Sequence, residues 1–301
     1  MAHVDQRELP VDLRIKGFSN IVDVFKGVIH RHLSSLYDSA QEILFDDTSR
    51  MVFFSDCHRG DRSRNDAFAV NEPLFVQALT HYLNLGFTYF EVGDGDELWQ
   101  NPHLSEVVRS HKPIFNLLHR FDAQNRLHLI LGNHDVAENK QKSTDKDGMP
   151  VKDGLILRHR RTNQRLFVLH GHQADFKSDV LSPVSRAFVR HVWRRVQQWP
   201  VTRWVQDVIP GAEFGGIERR LMAWMRTHDP ALICGHTHRS VMAKPGELPY
   251  FNTGSWLEPG VATGLEIQEG MIQLVRWVAN PITHEVRREL VTTPRRLQLF
   301  A

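Results

Sequence analysis

The chain alternates two kinds of apolar patterning. Met51-Val52-Phe53-Phe54, Phe87 to Val92, Leu127 to Leu131, Leu166 to Leu169 and Ala231 to Cys234 are short, almost wholly apolar runs that read as buried strands. Between them, Ala67 to Leu85 carries apolar residues at Phe68, Leu74, Phe75, Ala78, Leu79 and Tyr82 and is ended by Gly86, and Pro113 to Phe121 has the same rhythm; both read as helices. Strand, helix, strand, helix, strand is the α/β pattern, in which polar groups gather at the carboxyl ends of the sheet. Leu155 to Leu157 adds a strand joined to Leu166–Leu169 by the basic turn Arg158 to Arg165, a hairpin. Asn139 to Asp153 is polar and Lys-rich and reads as a surface loop. Past it, Ser240 to Ala243, Tyr250 to Asn252, Val261 to Gln268 and Met271 to Val278 are short strands divided by Gly and Pro turns, expected as an antiparallel tail.

Two segments stand outside this scheme, which otherwise spans residues 1–301 as one domain. Residues 1–49 read as an N-terminal helical extension, with Ile21, Val24, Phe25, Val28, Ile29 and His32 on one face and Leu36, Ala40, Ile43 and Leu44 on a second. Residues 175–228 read as a helical insert, or cap, with Val184, Phe188, Val192 and Val196 on one stripe. The insert holds four of the seven Trp (Trp193, Trp199, Trp204, Trp224) and many Arg, among them Arg186, Arg190, Arg194 and Arg195. Packing with a wet Arg face explains such a pattern. Trp with Arg also suits a peripheral membrane contact or a lipid head group, and aromatic residues interleaved with Arg suit single-stranded nucleic acid.

Composition adds little until the histidines. A net charge of +2 argues neither for nor against a nucleic-acid partner. The two cysteines, Cys57 and Cys234, have no metal-finger spacing, read as small buried groups and point to a reduced, cytoplasmic compartment. Met1 to Pro10 lacks an apolar core of signal-peptide length, and no apolar run approaches the about 18 residues of a spanning helix. Eighteen His is unusual, and several close the apolar runs. Asp56-Cys57-His58, Gly93-Asp94-Gly95-Asp96-Glu97, Gly132-Asn133-His134-Asp135, His170-Gly171-His172 and Gly235-His236-Thr237-His238 each follow a strand. Any one His reads equally well as a satisfied surface or core residue; the set does not. On an extended chain, alternate residues face one way, so Asp56 and His58, and likewise His236 and His238, could share a metal. With Asp94, Asn133 and His170 the donors are too many for one ion. They suit two divalent ions about 3.5–4 Å apart, the arrangement for in-line displacement at phosphorus by a hydroxide held between the ions. Mixed N and O donors without thiolate favour Mn, Fe, Zn or Co. Arg59 offers bidentate contact to phosphate, and His172 could face the same pocket, so both are substrate candidates.

The blocks resemble those of the calcineurin-like metallophosphoesterase superfamily, which run D-x-H, G-D-x-x-[DE], G-N-H-[DE], a later His after a strand, and G-H-x-H. The resemblance covers about residues 50–255. It implies an αββα sandwich of two mixed β-sheets flanked by helices. It also implies one ion on Asp56, His58, Asp94 and His238, and the other on bridging Asp94, Asn133, His170 and His236. His134 would touch the phosphate or protonate the leaving oxygen, with Asp135 orienting its imidazole. Asp56-Cys57-His58-Arg59-Gly60-Asp61 and Gly93-Asp94 followed by Glu97-Leu98-Trp99 look most similar to the branch of UDP-2,3-diacylglucosamine pyrophosphatases, which also carries a helical lid after the His170-type block. The expectation is therefore a binuclear metallophosphoesterase acting on a phosphodiester or pyrophosphate bond in a nucleotide-linked or lipid-like substrate. A nuclease of the same superfamily is the enzymatic alternative, and a scaffold without catalysis is the other.

Overall fold

The structure is a computed structural model describing residues 27–137, 145–175, 214–283 and 285–297. Ile21, Val24 and Phe25, the stripe Val184, Phe188, Val192 and Val196, the neighbouring Arg186, Arg190, Arg194 and Arg195, and Trp193, Trp199 and Trp204 lie outside the described residues.

The apolar runs too short for helices become strands of two mixed sheets. The nine-stranded sheet has a parallel centre made of β2 (Met51–Phe54), β3 (Thr88–Val92), β4 (Leu127–Ile130) and β6 (Met149–Lys152). Antiparallel strands β12 (Val261–Gln268), β13 (Met271–Ala279) and β14 (Val286–Leu290) extend it beyond β2, with β15 (Arg295–Arg296) on β13, and β5 (Asp145–Lys146) closes the other edge. The six-stranded sheet runs β1 (Gln41–Phe45), β7 (Gly154–His159), β8 (Arg165–Leu169), β9 (Ala231–Cys234), β11 (Tyr250–Asn252), β10 (Val241–Met242).

Alternation along each strand assigns the layers. Phe53, Phe90, Ile130, Leu157, Val168, Ile233 and Leu265 meet between the two sheets. Val52 and Phe54 turn outward instead, against Phe75, Leu79 and Tyr82 of α2 (Glu72–Asn84) and Leu118 of α4 (Lys112–Asp122). A strand buried on both faces favours apolar residues throughout, and the buried exception in β3, Glu91, is paired with Arg59 and Lys146. On the far side, Phe167 and Leu232 pack against Leu33 and Tyr37 of α1 (27–39) and Trp224 of α5 (Phe214–His228). Helix α3 (Leu104–Ser110) precedes α4. Helices, sheet, sheet, helices is the expected αββα sandwich.

Three expectations change. Ile43 and Leu44 belong to β1, not to a helix: Ile43 and Phe45 turn inward with a two-residue period, while Leu44 is 42 % exposed on a strand paired only with β7. The expected loop over 139–153 instead contains β5 and β6, because Met149 and Val151 alternate into the core and β6 pairs parallel with β4; 138–144 lie outside the described residues. In the tail, β11 pairs parallel with β9, and β14 and β15 are additional strands. In α5, Ile217, Leu221, Trp224 and Met225 are buried and Arg219 and Arg226 exposed, so Trp224 serves packing rather than a membrane face. No helix among the described residues is long and apolar enough to cross a membrane.

Candidate metal centre

All five blocks lie at carboxyl ends of strands: β2, β3 and β4 of the larger sheet, β8 and β9 of the smaller. The turns there are not extended. Asp56, His58, Asp94, His236 and His238 have φ of 53, 51, 49, 67 and 56°, left-handed backbone that costs a non-glycine residue about 1 kcal/mol each. The neighbouring side chains therefore converge through kinks in tight turns, which corrects the expectation of alternation along a pleated strand. Cross-turn bonds hold the kinks: Asp56 N donates to Gly93 O at 3.1 Å and His58 N to Asp94 O at 2.9 Å. Gly132 has to be glycine, since a Cβ there would stand against the backbone nitrogen and Oδ1 of Asp94.

Six of the seven residues expected as metal ligands come together in two groups, and the seventh, Asn133, sits on the β4 turn with its Oδ1 buried. Asp56, His58 and His238 form one group and Asp94, His170 and His236 another, each with donor atoms within 4.8 Å of one another. His238 Nε2 lies 3.1 Å from Asp56 Oδ1 and 3.3 Å from His58 Nε2. Asp94 Oδ2 lies 3.1 Å from His170 Nε2 and 3.7 Å from His58 Nε2, between the groups. His170 Nδ1 donates to Val92 O at 2.8 Å, which leaves Nε2 as the free ring nitrogen. Asn133 Oδ1 is buried without a hydrogen-bond partner, and Asp56 Oδ1 and His170 Nε2, buried and likewise without a hydrogen bond, face other donor atoms of their own groups. Buried polar atoms are rarely left so, and these are hard oxygen and imidazole donors; the set fits divalent cations. Burial alone would lift the Asp94 carboxyl, but His170 and His134 hold it well below its ordinary range. Burial would likewise depress His170, yet Asp94 and Asp56 raise it to about 9.

Beside these groups, His134 and Glu97 make a third cluster with His58. Glu97 Oε2 stands 2.9 Å from His134 Nδ1 and 3.1 Å from His58 Nδ1. The expectation that Asp135 orients His134 is thus corrected: Asp135 accepts instead from the backbone of Gly132 and Asp96 and pairs with Lys146, and Glu97 holds the imidazole. The G-D-x-x-[DE] spacing contained this partner, since its last position is Glu97. Trp99 stacks on His134 at 3.9 Å and 23° and donates from Nε1 to Asn133 O at 2.7 Å. Arg59, expected at the substrate, is fully buried in ion pairs with Glu91 and Asp96 and cannot reach a phosphate; two carboxylates within reach outcompete a solvent-facing role. His172 lies on a 3-10 turn (His172–Ala174), its ring 5.5 Å from His170 and 6.4 Å from His236. Cys57 and Cys234 are buried free thiols, as expected, and burial pushes Cys234 up to about 12.

No curated protein sequence matches the chain. Among solved structures it is similar to Vps29 complexed with zinc from Entamoeba histolytica, at 18% identity, covering 80% of this chain and 98% of that one with a TM-score of 0.39. Vacuolar protein sorting 29 from Cryptosporidium parvum matches at 13% identity over 82% and 100%, TM-score 0.40. A cold-active protein-tyrosine phosphatase of a psychrophile Shewanella species matches at 12% over 84% and 82%, TM-score 0.40. The profile of the calcineurin-like phosphoesterase family matches residues 49–240 of the 301, from just before β2 to just past His238, and therefore takes in every turn that contributes to the centre: the chain belongs to the calcineurin-like phosphoesterase family.

Proposed function

We propose that this metal-dependent phosphoesterase works with two divalent ions and cleaves a phosphodiester or pyrophosphate bond in a nucleotide-linked or lipid-like substrate. The observation that carries the reading is the pair of adjacent three-donor groups, with Asp94 Oδ2 between them and unpartnered donor atoms in both. Asp56, His58 and His238 would hold one ion, Asn133, His170 and His236 the other, and Asp94 would bridge. When bound, the ions would supply Lewis acidity at phosphorus and a water of lowered pKa for in-line attack. The donor set suits Mn, Fe, Zn or Co.

His134 supplies the acid. Its Nδ1 is taken by Glu97, so Nε2 is the nitrogen offered to the phosphoryl or leaving oxygen, and the Trp99 stack keeps the ring in plane. His172, beside His170, is placed to contact substrate. Two sequence words, Asp56 to Asp61 and Glu97-Leu98-Trp99, and a long segment between β8 and β9 favour a substrate like that of the UDP-2,3-diacylglucosamine pyrophosphatases.

The test is elemental analysis of the purified chain followed by a screen of the Mn-loaded protein. Its arms are phosphomonoesters, diesters, nucleotide pyrophosphates and single-stranded DNA. Two metals per chain with turnover of diesters or pyrophosphates is expected. Robust cutting of DNA alone would make it a nuclease, and a single bound ion would sink the two-metal reading.

A further inference from the structure

Three of the metal-bearing turns carry, just past a ligand, a charged side chain that joins a buried cluster: Arg59 after His58, Asp96 after Asp94 and Asp135 after Asn133. There they meet Glu91 of β3 and Lys146 of β5. Arg59 donates from Nη1 and Nη2 to Glu91 and from Nε to Asp96, each at 2.7 Å. Lys146 Nζ lies 3.0 Å from Glu91 Oε1, 2.9 Å from Asp96 Oδ2 and 3.0 Å from Asp135 Oδ1. Asp135 in turn accepts from Gly132 N at 2.8 Å and Asp96 N at 3.0 Å. None of the five is more than 5% exposed.

The chemistry gives Lys146 a particular place in this cluster. Its ammonium donates to Glu91 Oε1 and Asp135 Oδ1, and it stands in ion-pair contact with Asp96 Oδ2, so three carboxylates surround one cation. Arg59 pairs with Glu91 and Asp96, whereas Lys146 pairs with both Asp96 and Asp135 and so ties the Asp94 turn to the Asn133 turn. The same tie is continued by backbone: His134 N donates to Asp94 Oδ1 at 2.8 Å, beside the Oδ2 that faces His170. Nothing in the sequence blocks marks Lys146, which lies in a stretch that reads as surface.

The geometry points to Lys146 as a positioning residue that sets the spacing of Asp94 and Asn133 across the metal centre. It acts through Asp96 and Asp135, and rests on the reading that these residues hold metal. Losing the ammonium leaves three buried carboxylates facing one guanidinium, and the repulsion would spread the two turns.

The experiment is titration of metal-free protein with Mn²⁺, read by calorimetry well below the melting temperature. Lys146→Met is compared with wild type and with the charge-balanced double variant Glu91→Gln, Lys146→Met, which removes one charge of each sign and guards against a single variant that fails to fold. Both are expected to bind Mn²⁺ about 10–100-fold more weakly, the usual loss when an outer partner of a metal ligand is removed. A pin with only a structural role would lower the melting temperature and leave the Mn²⁺ dissociation constant of the folded protein unchanged; that result, in either variant, overturns the assignment. A wild-type chain that binds no Mn²⁺, Zn²⁺, Fe²⁺ or Co²⁺ would remove the metal centre itself, a failure distinguishable from that of Lys146 alone.

Discussion

Replacing Glu97 by Gln would take one charge from between two imidazoles while keeping the side chain's shape. Burial works against the charged form of His134, yet Glu97 and Asp94 lift it from 6.5 to about 9. Burial works against the Glu97 carboxylate too, yet His134 and His58 draw it from 4.5 down to about 2. Each displacement corresponds to roughly 3 kcal/mol. The two are one contact seen from both partners, so it is counted once. A raised histidine stabilises the fold below its unfolded value of 6.5 and loses that contribution as pH rises through about 9. A depressed carboxyl stabilises above 4.5 and loses it as pH falls through about 2. The pair therefore contributes in full between those unfolded values, near about pH 5–6. In metal-free Glu97→Gln, His134 should titrate close to its ordinary value, and stability should drop by about 3 kcal/mol near pH 6 but much less near pH 10, where the wild-type imidazole is already neutral. The assays are imidazole NMR titration and denaturant unfolding at both pH values. A His134 that still titrates near 9 in the variant, or equal losses of stability at the two pH values, would refute the pairing.

Other expectations follow from the same geometry. His134→Ala should keep its metal and lose about 10²–10⁴ in kcat, as removal of a general acid does, whereas Asp94→Ala should lose metal occupancy itself; elemental analysis beside steady-state kinetics separates them. Since His170 is raised to about 9 and must be neutral to ligate, metal binding near about pH 7.5 should release protons, seen as a buffer-dependent calorimetric enthalpy that shrinks in His170→Ala. His128 on β4 is depressed to about 4 by burial and by Lys152. Its neutral form is the folded one, so the stability of wild type relative to His128→Leu should fall by about 3 kcal/mol as pH drops from about 7 to about 4; a pH-independent difference would rule this out.

Most of the sandwich was legible because strands buried on both faces are mostly apolar, and such runs are visible without coordinates. Several edges were not legible, although β10 was. β1, β5 and β15 are short or half-exposed, and pairing with one neighbour leaves little imprint on composition. At the centre, the candidate ligand residues could be recognised because cation chemistry restricts residue type. The side chains around them could not be assigned so simply. Arg59 looks like a phosphate contact by type and position, yet Glu91 and Asp96 claim it. Asp135 looks like the partner of its neighbour His134, yet its carboxylate bonds Gly132, Asp96 and Lys146.

By itself, then, the chain's order of residues determined which segments are buried strands and which donors stand at their ends, because burial and metal coordination each restrict the residue allowed at a position. Tertiary structure alone decided who pairs with whom among the charged groups. Glu97 rather than Asp135 meets His134, and Lys146 reaches Asp96 and Asp135 from a strand outside every motif. Ion pairing depends on distances of a few ångströms between segments far apart in the chain, and those distances leave no mark on the residue type at either position.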